Sequence, residues 1–145
     1  MAFTQSCFIR KNTPELRKKL EELGYDYYTP NGIKSDNIVA SFGFIFDICS
    51  IDTIKLAFNN CIDCGDNEEL FLALAALRYD TDINQIYLWN ERHLVKCIRD
   101  YSCTLNIEAT PYYMCQLIDN SDIKFEIPCK ELRKATVEEI IEHFK

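Results

Sequence analysis

Glycine and proline are scarce in this sequence, with only four of each among 145 residues. A glycine-rich phosphate-binding loop needs several glycines within a few positions, and no such cluster is present. The sequence also contains no GxSxG motif, which excludes a hydrolase of the nucleophile-elbow type. Because so few glycines and prolines leave no flexible linker, we predict one compact domain over residues 1–145.

Long apolar runs and an excess of basic residues are also missing. No stretch is long enough to cross a bilayer, and residues 1–12 lack the charged and then apolar regions of a signal peptide. The 16 Lys and Arg residues stand against 23 Asp and Glu residues, a formal charge of −7. This balance disfavours nonspecific nucleic-acid binding. We therefore expect a cytoplasmic protein that does not interact with membranes.

Cysteine is abundant, with eight residues spread along apolar segments. In a reducing cytosol such cysteines behave mostly as small buried hydrophobes, so we predict no disulfide framework. The one CxxC pair is Cys61 and Cys64. A structural zinc site needs four ligands, and neither a second CxxC pair nor histidines in a suitable element accompany this one. We expect no metal and no cofactor.

The same pair is a poor candidate for thiol–disulfide chemistry. A reactive thiolate needs positive charge and a helix N-terminus beside it. A helix is predicted to begin here, but the surrounding side chains are acidic, namely Asp63, Asp66, Glu68 and Glu69. We interpret the motif as a joint between a strand and a helix, in which Gly65 makes the turn.

Capping residues and periodic apolar positions predict three helices. The first begins at Asn12 or Thr13 and ends at Gly24. The second begins at Asp66 and the third at Thr136, each with a glutamate three residues further on, as in a capping box. The second helix is apolar on nearly all sides, so it should be the most deeply buried.

Segments rich in aromatic and β-branched residues lie between these helices and predict strands. One of them, residues 37–51, is long enough for a bent strand or a strand pair with a turn at Gly43. Residues 53–60 also have strand character, and residues 119–122 carry a hairpin turn signal. The order of elements favours an α+β fold with a mainly antiparallel sheet and about three helices packed on it.

Residues 76–100 combine aromatic and basic side chains. Aromatic faces beside guanidinium groups suit a nucleotide base with its phosphate, or the centre of a protein interface. The alternative is an ordinary strand that directs Ile86 and Leu88 inward. We predict that the ligand-binding residues are Arg78, Tyr87, Trp89, Arg92, His93 and Arg99.

Three phrases of the sequence carry a resemblance. They are RKNTPELRKKLEELGY (residues 10–25), CGDNEELFLALAALRYDTD (64–82) and KATVEEIIEHFK (134–145). Together they resemble small uncharacterised proteins encoded by phages and prophages of gut bacteria. The resemblance implies a phage accessory protein that acts in the host cytoplasm, where such proteins often inhibit host defence. It provides no catalytic residues.

Three functions remain open at this stage. The first is a non-enzymatic binding protein, expected to be a homo-oligomer, that sequesters a small anionic nucleotide-like signal or binds a host protein. The second is a small enzyme that uses a Cys–His or carboxylate pair on a nucleotide-like substrate. The third is a structural or protein-interaction subunit, which would expose a large apolar patch.

Overall fold

The computed structural model describes residues 2–28, 35–48, 60–100, 111–120 and 122–144. Contacts within the chain define two compact units, Met1–Tyr79 with Phe144–Lys145, and Asp80–His143. The predicted α+β fold is confirmed, since the described segments form three α-helices and two five-stranded sheets. Six strand pairings are antiparallel and two are parallel. That residues 1–145 form one domain stays a prediction.

The first unit contains two helices and five short strands. In chain order these elements are β1 (Cys7–Ile9), α1 (Pro14–Leu23), β2 (Asp26–Tyr28), β3 (Ile38–Ser41), β4 (Phe44–Asp47), β5 (Ile62–Asp63) and α2 (Glu68–Ala75). The strands form a mixed sheet in the order β2-β4-β3-β1-β5. The predicted strand at residues 53–60 lies almost entirely outside the described residues.

Helix α1 begins and ends where the sequence predicts. Thr13 is the N-cap, and its hydroxyl accepts a hydrogen bond from the backbone N–H of Leu16 at 3.1 Å. Pro14 occupies the first turn, where its missing N–H leaves no hydrogen bond unmade. Gly24 ends the helix at φ +113°, in the left-handed region that glycine adopts readily.

Helix α2 begins one residue later than predicted. Its N-cap is Asn67 rather than Asp66, and the Asn67 side chain accepts from the Leu70 N–H at 3.1 Å. The chain turns at Gly65 and Asp66, which shifts the capping position. Buried side chains from α2, α1 and the central strands form the core of this unit. They include Phe8, Ile9, Leu16, Leu20, Tyr25, Ile38, Phe71 and Leu74.

The second unit contains five strands and one helix. Its elements are β6 (Ile86–Trp89), β7 (His93–Asp100), β8 (Tyr112–Leu117), β9 (Lys124–Pro128), a 3-10 turn (Cys129–Glu131), β10 (Leu132–Lys134) and α3 (Val137–His143). The sheet order is β10-β6-β7-β8-β9, and every pairing in it is antiparallel. Strands β8 and β9 form the predicted hairpin; residue 121 of its turn lies outside the described residues, and the Ile123 N–H donates to the Asn120 carbonyl at 3.1 Å.

This second sheet is strongly curled. Strands β9 and β10 form its two edges, yet only the 3-10 turn Cys129–Glu131 connects them. A connection of this length spans at most about 14 Å, whereas four strand spacings in a flat sheet measure about 19 Å. The edges must therefore approach each other. The concave face holds its own core, formed by Tyr87, Val95, Cys97, Tyr113, Cys115 and Ile127.

Helix α3 has the predicted capping box. The Thr136 hydroxyl accepts from the Glu139 N–H at 3.1 Å, and the Glu139 carboxylate accepts from the Thr136 N–H at 2.9 Å. Arg133 on β10 donates two further hydrogen bonds to Glu139, both at 2.8 Å. The bonds from Arg133 lower the pKa of Glu139 to about 2. None of the helices formed by the described residues is long and apolar enough to cross a membrane.

The turn between β3 and β4 has an unusual residue at its tip. Phe42 and Gly43 have φ values of +49° and +88°, and the Phe42 side chain is 58% exposed. Positive φ at both central positions defines a type I′ turn, which favours Asn-Gly. A left-handed conformation costs a non-glycine residue such as phenylalanine roughly 1–2 kcal/mol. Asparagine adopts it more easily because its side chain is short and polar.

We therefore expect Phe42→Asn to raise the free energy of unfolding by about 1 kcal/mol. Thermal unfolding followed by far-ultraviolet circular dichroism would measure the change. Phe44→Asn is the matched control, because it removes the same ring from the adjacent strand and should not stabilise the protein. A lower melting temperature for Phe42→Asn would mean that the exposed ring makes stabilising contacts that outweigh the strain.

Candidate functional site

The turn between β6 and β7 presents the candidate site. Trp89 and His93 face each other across this hairpin, and the Arg92 N–H donates to the Trp89 carbonyl at 3.0 Å. Asn90 and Glu91 form the turn with φ values of +51° and +60°. Asparagine tolerates this conformation, whereas glutamate does so at a cost.

A salt bridge holds the strained glutamate. Arg133 on β10 donates to both carboxylate oxygens of Glu91, at 2.7 and 2.8 Å. This guanidinium lowers the pKa of Glu91. A two-point pairing fixes direction as well as distance. The turn is thus attached to the neighbouring strand, and the start of β7 is held in one orientation.

Three aromatic rings meet at this end of the curled sheet. The Trp89 ring lies 5.8 Å from the ring of His93 and 4.9 Å from that of Phe125, centroid to centroid. Trp89 and Phe125 are partly buried and His93 is exposed. We call Trp89, His93 and Phe125 the rim cluster. Trp89 and Phe125 also pack against the core of this unit, so a planar group could stack only on the part of the rings that stays exposed.

Arg92 supplies a cation at this turn. Its side chain is exposed, and among the described residues it forms no ion pair or hydrogen bond. The arginine that contacts the turn from β10, Arg133, is already paired with Glu91 and Glu139. The guanidinium group of Arg92 can therefore pair with an incoming anion.

A carboxylate borders the same cluster. One oxygen of Glu131, in the 3-10 turn, accepts from the Trp89 indole N–H at 3.4 Å and from the Asn90 side-chain amide at 3.5 Å. The Glu131 carbonyl also accepts from the Asn90 N–H at 3.1 Å, which fixes the backbone here. The site thus combines a stacking face, a free cation and a hydrogen-bond acceptor, the groups needed for ligand recognition.

Tyr87, predicted to contact the ligand, lies in the core. Its side chain is only 6% exposed, its hydroxyl donates to Asp82 at 2.8 Å, and its ring meets Tyr113 edge-on at 5.5 Å. Burial, together with the hydrogen bond to Asp82, raises the pKa of Tyr87. A ring packed on both sides offers no stacking face. We therefore assign Tyr87 to the support beneath Trp89.

Arg78 and Arg99 are not part of the rim cluster. Arg78 belongs to the first unit, where its guanidinium carbon lies 4.5 Å from the centre of the Phe3 ring. Arg99 is exposed near the far end of β7, beyond a bulge between Cys97 and Arg99. It is six residues from His93, a distance of about 20 Å along a strand. Of the predicted set, the hairpin brings Trp89, Arg92 and His93 together.

Phe125 and Glu131 complete the site, and neither was predicted from the sequence. Both lie more than thirty residues after Trp89. Phe125 reaches it because the second sheet curls, and Glu131 reaches it because β10 pairs with β6, with Leu132 opposite Trp89. Phe125 stands in a segment with ordinary strand character, and Glu131 follows it in a charged turn. No local pattern distinguishes either residue from a surface position.

The CxxC motif is a strand-to-helix joint in the structure. Strand β5 (Ile62–Asp63) lies between its cysteines, and the chain turns at Gly65 before α2. Burial is the main cause that raises the pKa of Cys61 to about 11, with the nearby Cys64 and Asp63 adding to it. Burial also raises the pKa of Cys7, whose thiol donates to the Phe71 carbonyl at 3.7 Å. These environments oppose thiolate formation.

Within the described segments, no group of three or more His, Cys, Asp or Glu side chains is arranged to hold a metal ion. No protein-family model, curated protein or solved structure matches this chain significantly. The resemblance to phage proteins therefore stays a prediction.

The raised pKa of Cys61 predicts how its reactivity depends on pH. Iodoacetamide reacts with the thiolate, and below the pKa each pH unit changes the thiolate fraction tenfold. We expect the alkylation rate of Cys61 to rise about tenfold per unit between pH 7 and pH 9.5, because its pKa is about 11. Peptide mass spectrometry of timed samples would follow this residue. A rate that levels off between pH 8 and pH 9 would contradict the prediction.

Proposed function

We propose that this protein is a non-enzymatic binding protein whose rim cluster recognises a small anionic, nucleotide-like ligand. Trp89 stacks on the base, and Arg92 pairs with the phosphate. The observation that carries the proposal is the exposed Arg92 side chain, which has no partner among the described residues and lies three positions from a partly exposed tryptophan. Stacking of one base on an aromatic side chain contributes about 1–3 kcal/mol.

A small ligand is favoured over a protein partner by the size of the site. A stable protein interface buries about 800 Å² on each side, whereas the rim cluster consists of only three rings, two from the β6–β7 hairpin and one from β9. The formal charge of −7 disfavours a large polyanion such as nucleic acid. One unpaired arginine beside a stacking face can still attract a mononucleotide-sized anion. If the tests that follow find no small ligand, a host protein is the alternative partner.

The biological role that we propose follows from the resemblance to phage proteins. A phage accessory protein in the host cytoplasm would counter host defence by sequestering a nucleotide signal. We expect a homo-oligomer. Native mass spectrometry of freshly purified protein, followed by denaturation, would give the subunit number and the mass of any ligand carried from cells. A binding protein releases its ligand intact, whereas an enzyme releases product.

The single tryptophan of the chain makes the charge at the site measurable. A net negative charge repels iodide, so it should lower the ratio of iodide quenching to quenching by the neutral molecule acrylamide. We expect this ratio to be higher at Trp89 than the net charge alone would produce. We expect Arg92→Ala to reduce iodide quenching roughly two-fold, because removing one exposed positive charge three residues from Trp89 lowers the local concentration of anions.

Arg99→Ala is the matched control, since it removes one exposed positive charge from the same unit, about 20 Å along β7 from His93. It should leave iodide quenching of Trp89 unchanged. If caesium quenches Trp89 more strongly than iodide, and Arg92→Ala has no effect, then the carboxylates dominate the local field. That result would overturn the anion-binding proposal.

A further inference from the structure

We infer that the base recognised at the rim cluster is guanine and that Glu131 selects it. This inference rests on the proposed function, since it names the ligand class of the same site. Its basis is the carboxylate that borders the stacking tryptophan. A carboxylate in this place has no role in binding phosphate, which it repels, but it can accept hydrogen bonds from the edge of a base.

The Glu131 carboxylate is held near Trp89 yet still has capacity to bind. Its contacts with the Trp89 indole and the Asn90 amide are 3.4 and 3.5 Å long, at the weak end of the hydrogen-bond range. Both involve the same oxygen, Oε1. The second oxygen, Oε2, has no hydrogen-bond partner within the part of the chain that the structure describes. The backbone of Glu131 is fixed to Asn90, so the side chain stays beside the ring.

Guanine is the base whose edge matches a carboxylate. Its N1–H and N2–H₂ groups are adjacent donors, and they can pair with two carboxylate oxygens in parallel. Adenine and cytosine each present an amino donor beside a ring-nitrogen acceptor, and uracil presents one donor between two carbonyls. In these three bases at least one lone pair faces the carboxylate, which is unfavourable. Two charge-assisted bonds of this kind discriminate between bases by about 10-fold or more.

Trp89 fluorescence can test the inference directly. The wild-type protein would be titrated with guanosine, inosine and adenosine 5′-monophosphates. Inosine lacks only the N2 amino group of guanine, so it removes one of the two proposed bonds and keeps the other. We expect the dissociation constant to increase about 5-fold or more from guanosine to inosine monophosphate, and further for adenosine monophosphate.

Two variants separate Glu131 from general charge effects. Glu131→Gln should abolish the preference for guanosine over adenosine monophosphate, because the amide provides only one acceptor. Glu126→Gln is the matched control, since it neutralises an exposed carboxylate on the neighbouring β9 and should keep the preference.

The outcomes distinguish the inference from the function on which it rests. Binding of all three nucleotides with equal affinity would overturn guanine selection and leave nucleotide binding intact. A guanine preference that survives in Glu131→Gln would overturn the role of Glu131. Absence of any nucleotide-dependent change in the wild-type protein, checked by calorimetry with the same nucleotides, would overturn both the inference and the proposed function.

Discussion

The short connection between β9 and β10 is the constraint on which the second unit depends. Its three residues, Cys129–Glu131, must join the two edges of a five-stranded sheet, and a flat sheet would place those edges too far apart. The curl that results gives the sheet a concave face, so its strands can bury a core against one another. The same curl brings Phe125 to Trp89, whereas Glu131 lies beside the indole because β10 pairs directly with β6, with Leu132 opposite Trp89. The core and the contact between Phe125 and Trp89 therefore have one cause.

The site also depends on the positions of individual charged side chains, which the net charge of the chain does not describe. Acidic residues dominate the chain, and Arg133, which contacts the turn, is shared by Glu91 and Glu139. This pairing fixes the turn and leaves the exposed Arg92 side chain as the arginine there that the proposed function uses. Screening limits the reach of one charge to about 10 Å, so the anion recognition that we propose would be local and would need stacking as a second contribution.

Local chemistry made much of the fold predictable. Thr13, Pro14 and Gly24 define α1, and Thr136 with Glu139 defines the start of α3, because capping depends on residues within one turn of each other. The sequence patterns failed where distant residues decide the outcome. Tyr87 and Trp89 are two residues apart, the spacing that places both side chains on one face of a strand. Only the curl of the sheet determines that Tyr87 is buried against Tyr113 while Trp89 stays partly exposed. Glu131 could not be assigned because it reaches Trp89 through the pairing of β10 with β6, which joins two distant parts of the sequence.

The salt bridges from Arg133 to Glu91 and Glu139, which we call the Arg133 clamp, also affect the start of α3. One guanidinium holds both the Glu91 turn and the capping box of α3, so the start of the helix and the site share a partner. Both glutamates have lowered pKa values, which means that they stay ionised and the clamp persists at neutral pH. A turn that is already fixed loses little conformational entropy when a ligand binds. The strain of a left-handed Glu91 is therefore consistent with a site organised before binding, in which Arg92 and Trp89 need not rearrange.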